Sequence, residues 1–123
     1  MDCSLAEARA WTREHLGGLE WSDDAQDVVD SVLLTVTELV TNAHVHAHSD
    51  AQLILLWDER CLHVTVHDSS PELPTPRQPE PGTPGGRGLR IIDAVADNWK
   101  TNRCTRGKDI TACFRPPAAS MAV

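Results

Sequence analysis

Apolar residues recur at helical spacing from Ser4 to Leu16, at Leu5, Ala8, Trp11 and Leu16, and Gly17-Gly18 ends the pattern. Ser22 is a candidate N-cap for a second helix, with Asp23 and Asp24 placed at the positive end of its dipole. That helix is expected from about Asp23 to about Ala47, with Val28, Val29, Val32, Leu33, Val36, Leu39, Val40 and Ala43 forming a broad buried face. The period then falls to two. Ala51–Trp57 and Cys61–Asp68 read as the strands of a hairpin turned at Asp58-Glu59-Arg60. Between Ser69 and Gly88 lie six of the eight prolines and four of the seven glycines, so 69–88 is expected to be a long loop. Leu89 to Ala96 reads as a short helix. Asn98–Arg103 and Lys108–Phe114 read as a second hairpin around Thr105-Arg106-Gly107. The order helix, helix, strand, strand, loop, helix, strand, strand predicts an α+β fold. It is a two-layer α/β sandwich with a mainly antiparallel sheet and helices on one face. A chain of 123 residues fits a single domain over 1–115, followed by a loose Ala/Pro-rich tail over 116–123.

Polar residues interrupt these apolar faces in three places. On the long helix Thr35, Glu38, Asn42 and His46 follow one another at spacings of three and four, forming one stripe. Such a stripe serves either as a solvated face or as a site. A carboxylate and an amide one turn apart can respectively take a proton from a nucleophile and hold a hydrated divalent cation. On the second strand Leu62, Val64, Val66 and Asp68 share one face, and His63, Thr65 and His67 share the other. Asp68 therefore points toward the helix layer. There it accepts a hydrogen bond from a ligand amino group, or else it caps the strand end and bonds the Ser69-Ser70 turn. Finally, Gly85-Gly86-Arg87-Gly88-Leu89 leads into a helix, a phosphate-cradle candidate with a guanidinium beside it. It is neither a Walker nor a Rossmann pattern.

Composition narrows the partners. Eleven Lys and Arg against eighteen Asp and Glu give a formal charge of −7, which argues against direct nucleic-acid binding. No unbroken apolar run reaches the roughly 18 residues of a membrane span. The acidic N-terminus lacks the basic segment of a signal peptide, so a cytoplasmic protein with no membrane partner is expected. The cysteines at 3, 61, 104 and 113 have no CxxC spacing and read as free thiols. In His44-x-His46-x-His48 no third ligand stands at metal-binding spacing, so the run reads as a polar helix end.

Taken together and in this order, Glu38-Leu-Val-Thr-Asn42-Ala-His-Val-His46-Ala47, Asp68-Ser-Ser70 and Gly86-Arg87-Gly88-Leu89 resemble the Bergerat-fold (GHKL) ATP-binding superfamily. Within it they resemble the small anti-sigma-factor serine/threonine kinases of bacteria. The resemblance spans about Leu5 to Phe114. It implies ATP and Mg²⁺ as cofactors, with Asn42 holding the metal and Glu38 as general base. Asp68 would receive the adenine amino group, and His46 belongs to the extended helix motif. Gly86, Arg87, Gly88 and Leu89 would lie near the phosphates at the end of an ATP lid over 69–88. Ser70 stands where the family has Gly. The family's Gly-Lys-Thr-like segment in the last strand reads Gly107-Lys108-Asp109, so its Thr is either absent or replaced by Thr111. The implied function is phosphorylation of a small anti-sigma-factor antagonist, with sequestration of a sigma factor as a further role and a homodimer as an open assembly. A nucleotide-sensing module without transferase activity is the alternative.

Overall fold

A computed structural model describes residues 4–46, 50–70 and 88–116. The first helix, α1, spans Leu5–Leu16. Ser4 caps it by accepting from the Glu7 N–H at 3.3 Å, while the Ser4 hydroxyl donates to the Glu7 carboxylate at 2.9 Å. The second helix, α2, spans Gln26–Thr41 and runs directly into a π-helical turn at Asn42–His46. Strands β1 (Gln52–Trp57) and β2 (Leu62–Asp68) follow, then helix α3 (Gly88–Val95), then β3 (Asn98–Cys104) and β4 (Gly107–Phe114).

Two boundary expectations are corrected. Ser22 does not cap α2: its hydroxyl donates to the Leu19 carbonyl at 2.9 Å inside a run of turns, and the helix starts after Ala25 with no side-chain cap. The helix also does not continue as α-helix to Ala47, because one widened turn begins at Asn42. Most of the expected loop, 71–87, and the tail from 117 onward lie outside the described residues.

The four strands form one antiparallel sheet in the order β1-β2-β4-β3. This is the fold class the sequence predicts. Alternation decides which side chains face the helices. Leu62, Val64, Val66 and Asp68 are buried on β2, and Lys108, Ile110, Ala112 and Phe114 are buried on β4. Against this face α2 sets Val29, Val32, Val36, Leu39 and Val40, and the π-helical turn adds Ala43, all buried. It lies on the central strands β2 and β4, with α1 and α3 packed on it. By length and composition alone Gln26–Val45 could cross a membrane. Asp27, Asp30 and Glu38 interrupt it, however, and its apolar side is the core of the sandwich.

Side-chain bonds tie the layers at their edges. Arg9 Nη1 of α1 donates to Thr37 Oγ1 of α2 at 2.7 Å, and Trp99 Nε1 of β3 donates to the Asp93 carboxylate of α3 at 2.9 Å. In the β1–β2 turn the Asp58 carboxylate accepts the N–H groups of Cys61 and Arg60 and pairs with His63. These bonds, the Cys61 N–H foremost, hold the Asp58 carboxyl well below the usual carboxylate range.

Candidate functional site

The inner face of the sheet is apolar until its last row. There Asp68, at the end of β2, stands opposite Lys108, near the start of β4. Both are buried, with side chains 4% and 8% exposed, and Lys108 Nζ donates to Asp68 Oδ1 at 3.0 Å. The same oxygen accepts the Ser70 N–H at 2.9 Å, and Lys108 also reaches the Ser70 carbonyl at 3.5 Å. The turn-bonding reading of Asp68 is the one the structure displays. The carboxylate bonds the turn that follows the strand, as a cap does, yet it is held in the inter-layer space beside a buried cation. A lysine is almost never buried without such a partner, because its ammonium loses its hydration there.

Gly107 makes this row possible. It has a φ of +142°, and a Cβ built there would meet the Asp68 carbonyl oxygen at 1.9 Å. Only a residue without a side chain lets β4 begin this close to the end of β2.

The second part of the site is the end of α2. Glu38 and Asn42 lie one turn apart and are half-buried, at the junction where α-helix becomes π-helix. The Asn42 N–H donates to the carbonyls of Glu38 and Leu39. Among the described residues no group hydrogen-bonds either side chain, so the Glu38 carboxylate and the Asn42 amide stay available to a ligand. Thr35, one turn earlier, is fully buried, and its Oγ1 has no hydrogen-bond partner there. The polar stripe therefore divides: Thr35 belongs to the core, while Glu38 and Asn42 lie at its border. His46 is the last residue of the π-helical turn.

The remaining expected site residues fall in three groups. Gly88 and Leu89 open α3, which packs on α2. Gly86 and Arg87 lie outside the described residues. Thr111 is a correction. It pairs with Thr65 across the strands, hydroxyl to hydroxyl at 2.9 Å, on the face turned away from the helices. Two residues along a strand keep the same face, so Asp109 and Thr111 both point outward, and neither can stand beside Asp68. The residue that does is Lys108. The signal for it was present, since Lys108, Ile110, Ala112 and Phe114 alternate as the buried face of β4.

The donor set fits a magnesium nucleotide in kind. The Asn42 amide oxygen is a suitable ligand for a hard cation, and Asp68 is a buried acceptor at the edge of an apolar layer. What differs from the expected site is the ammonium already bonded to that acceptor.

Comparison with known proteins agrees with this architecture. The family model described as "Histidine kinase-like ATPase domain" matches residues 2–114. Among solved structures, the histidine kinase domain of a blue-light activated histidine kinase from Erythrobacter litoralis EL346 superposes with a TM-score of 0.54 at 20% identity. The match covers 76% of this chain and 47% of that one, so the chain spans about half the length of its structural relative. No curated protein matches the sequence.

Proposed function

The chain belongs to the histidine kinase-like ATPase family, and from that premise we propose that it binds MgATP and acts as an anti-sigma-factor-like serine/threonine protein kinase. The acceptor would be a serine or threonine hydroxyl on a small anti-sigma-factor antagonist, with sequestration of a sigma factor as a further role. The observation that carries this reading is the pair Glu38 and Asn42, one turn apart and half-buried at the edge of the core. Asn42 would hold the cation through its amide oxygen. Magnesium, when bound, neutralises charge developing on the phosphates. Glu38 would accept the proton leaving the hydroxyl, and Asp68 would receive an amino group of the base. Little covalent chemistry falls to the protein in phosphoryl transfer, so positioning and charge carry the rate.

One observation favours a second reading, a nucleotide-sensing module without transferase activity. Asp68 already accepts from Lys108 and Ser70 through Oδ1, so a base would share that carboxylate with a buried cation. A carboxylate whose charge is already balanced by that cation binds a base less strongly, which suits a sensor whose partner binding follows nucleotide occupancy.

Calorimetric titration with ATP and Mg²⁺, followed by transfer of labelled γ-phosphate to small candidate partner proteins, separates the two. Glu38→Ala should leave MgATP affinity nearly unchanged and slow transfer by about 10²–10⁴-fold, the range for a positioned proton acceptor. Transfer at the parental rate in that variant removes Glu38 from the mechanism. MgATP binding with no transfer by the parent favours the sensor, and no binding at all defeats both.

A further inference from the structure

The outer face of the sheet carries chemistry that the nucleotide site does not use. One row before Asp68 and Lys108, the cross-strand partners His67 and Asp109 point away from the helices. Their side chains meet at 2.6 Å, Nδ1 to Oδ1, and are 28% and 32% exposed. Cys104, the exposed last residue of β3, stands beside them just before the turn into β4. One nitrogen, one sulfur and one oxygen, each from a different strand, lie within 4.8 Å of one another.

We propose that His67, Cys104 and Asp109 form a binding site for a zinc-class divalent cation, with its fourth position open to solvent. Ligand type favours this class. A thiolate and an imidazole suit zinc, whereas magnesium and calcium require a shell of oxygens. Distances favour it too. Bonds of about 2.0–2.3 Å in a tetrahedron place ligand atoms about 3.4 Å apart. The outer limit of 4.8 Å thus closes by rotation of side chains, and the His67–Asp109 contact opens by less than an ångström. The strands that carry the ligands are hydrogen-bonded to one another in the order β2, β4, β3, so the scaffold is rigid where the ligands leave it. Cys104 is exposed and His67 and Asp109 are half-buried, which leaves one side of the site open, the mark of a metal that keeps a water or an exchangeable ligand. The site does not depend on the nucleotide reading, because it lies on the opposite face.

The test is a Co²⁺ titration of the whole reduced chain followed by competition with Zn²⁺. The expected result is a thiolate-to-cobalt charge-transfer band with visible bands of four-coordinate intensity, saturating at one equivalent and bleached by one equivalent of zinc. Cys104→Ser should abolish the charge-transfer band. It should also weaken zinc by about 10²-fold or more, since loss of a direct ligand costs at least the top of the range for outer-shell partners. His67→Gln should weaken zinc similarly, whereas Cys113→Ser should change neither property. Circular dichroism checks that each variant keeps the fold of the parent. The proposal is overturned by a band that survives Cys104→Ser, by one lost in Cys113→Ser, or by zinc affinity indifferent to both Cys104→Ser and His67→Gln. A parent that binds no cobalt overturns it as well.

Discussion

Replacing Lys108 by Met removes the cation beside Asp68 while nearly preserving side-chain length. The two groups lie 3.0 Å apart and almost wholly out of water. At an effective dielectric of about 20 their attraction is about 5 kcal/mol. Moving both charges out of water costs several kcal/mol each, so the intact pair adds little net stability. Breaking it is different, because the carboxylate stays buried without its counter-charge. Loss of one partner typically costs about 3–5 kcal/mol. Asp68 keeps the Ser70 N–H, which places the expected loss for Lys108→Met near the lower end, about 3 kcal/mol. At about 4 °C per kcal/mol for a domain of this size, the midpoint should fall by about 12 °C. The double variant Asp68→Asn, Lys108→Met should recover most of the loss, since neither charge is then stranded. Urea unfolding of the parent, both single variants and the double variant gives the interaction energy directly. A Lys108→Met variant within about 1 kcal/mol of the parent, with additive effects in the double, would show that the pair is not a buried unit.

Gly107→Ala should be the most damaging small substitution in the described fold, by about 3 kcal/mol or more, because the added methyl group meets backbone at the end of β2; a soluble variant with a parental midpoint in thermal melts refutes this. Thr35→Val should stabilise by about 1 kcal/mol, since it removes a fully buried hydroxyl without a partner among the described residues; a loss in urea titrations would mean that the hydroxyl is satisfied. Asp58→Asn should lower stability at neutral pH. The folded carboxyl titrates below its ordinary value of 3.8, so its contribution is present above that value and fades as pH falls through the folded one. Urea midpoints of parent and variant should therefore converge as pH is lowered from about 5 toward 2, and a constant gap would count against the turn bonds.

The four strands and their two hairpins were legible because the turns carry polar residues and β2 alternates; the pairing of β2 with β4, which orders the sheet β1-β2-β4-β3, has no local signal. The helix boundaries were less so. Ser22 has the chemistry of a cap, but the chain turns there and its hydroxyl bonds back to Leu19. No local signal marks the widened turn at Asn42. In the candidate site Asp68 was placed correctly by alternation. Thr111 was not, because a motif-based substitute was sought two residues along the strand from Asp109. Alternation read strictly selects Lys108, whose burial becomes intelligible only once a carboxylate is found opposite.

Two adjacent rows of one strand pair thus carry unlike chemistry on opposite faces. Asp68 and Lys108 face the helices, and His67 and Asp109 face away from them. A slip of β4 by one residue against β2 would turn Asp109 inward and Lys108 outward, splitting both pairs. Apolar alternation along β2 and β4 opposes that slip, and the close approach of β4 to Asp68 in this register needs the glycine at 107. The glycine that lets the strands approach thus lies beside the buried carboxylate, while Asp109 faces away and pairs with His67.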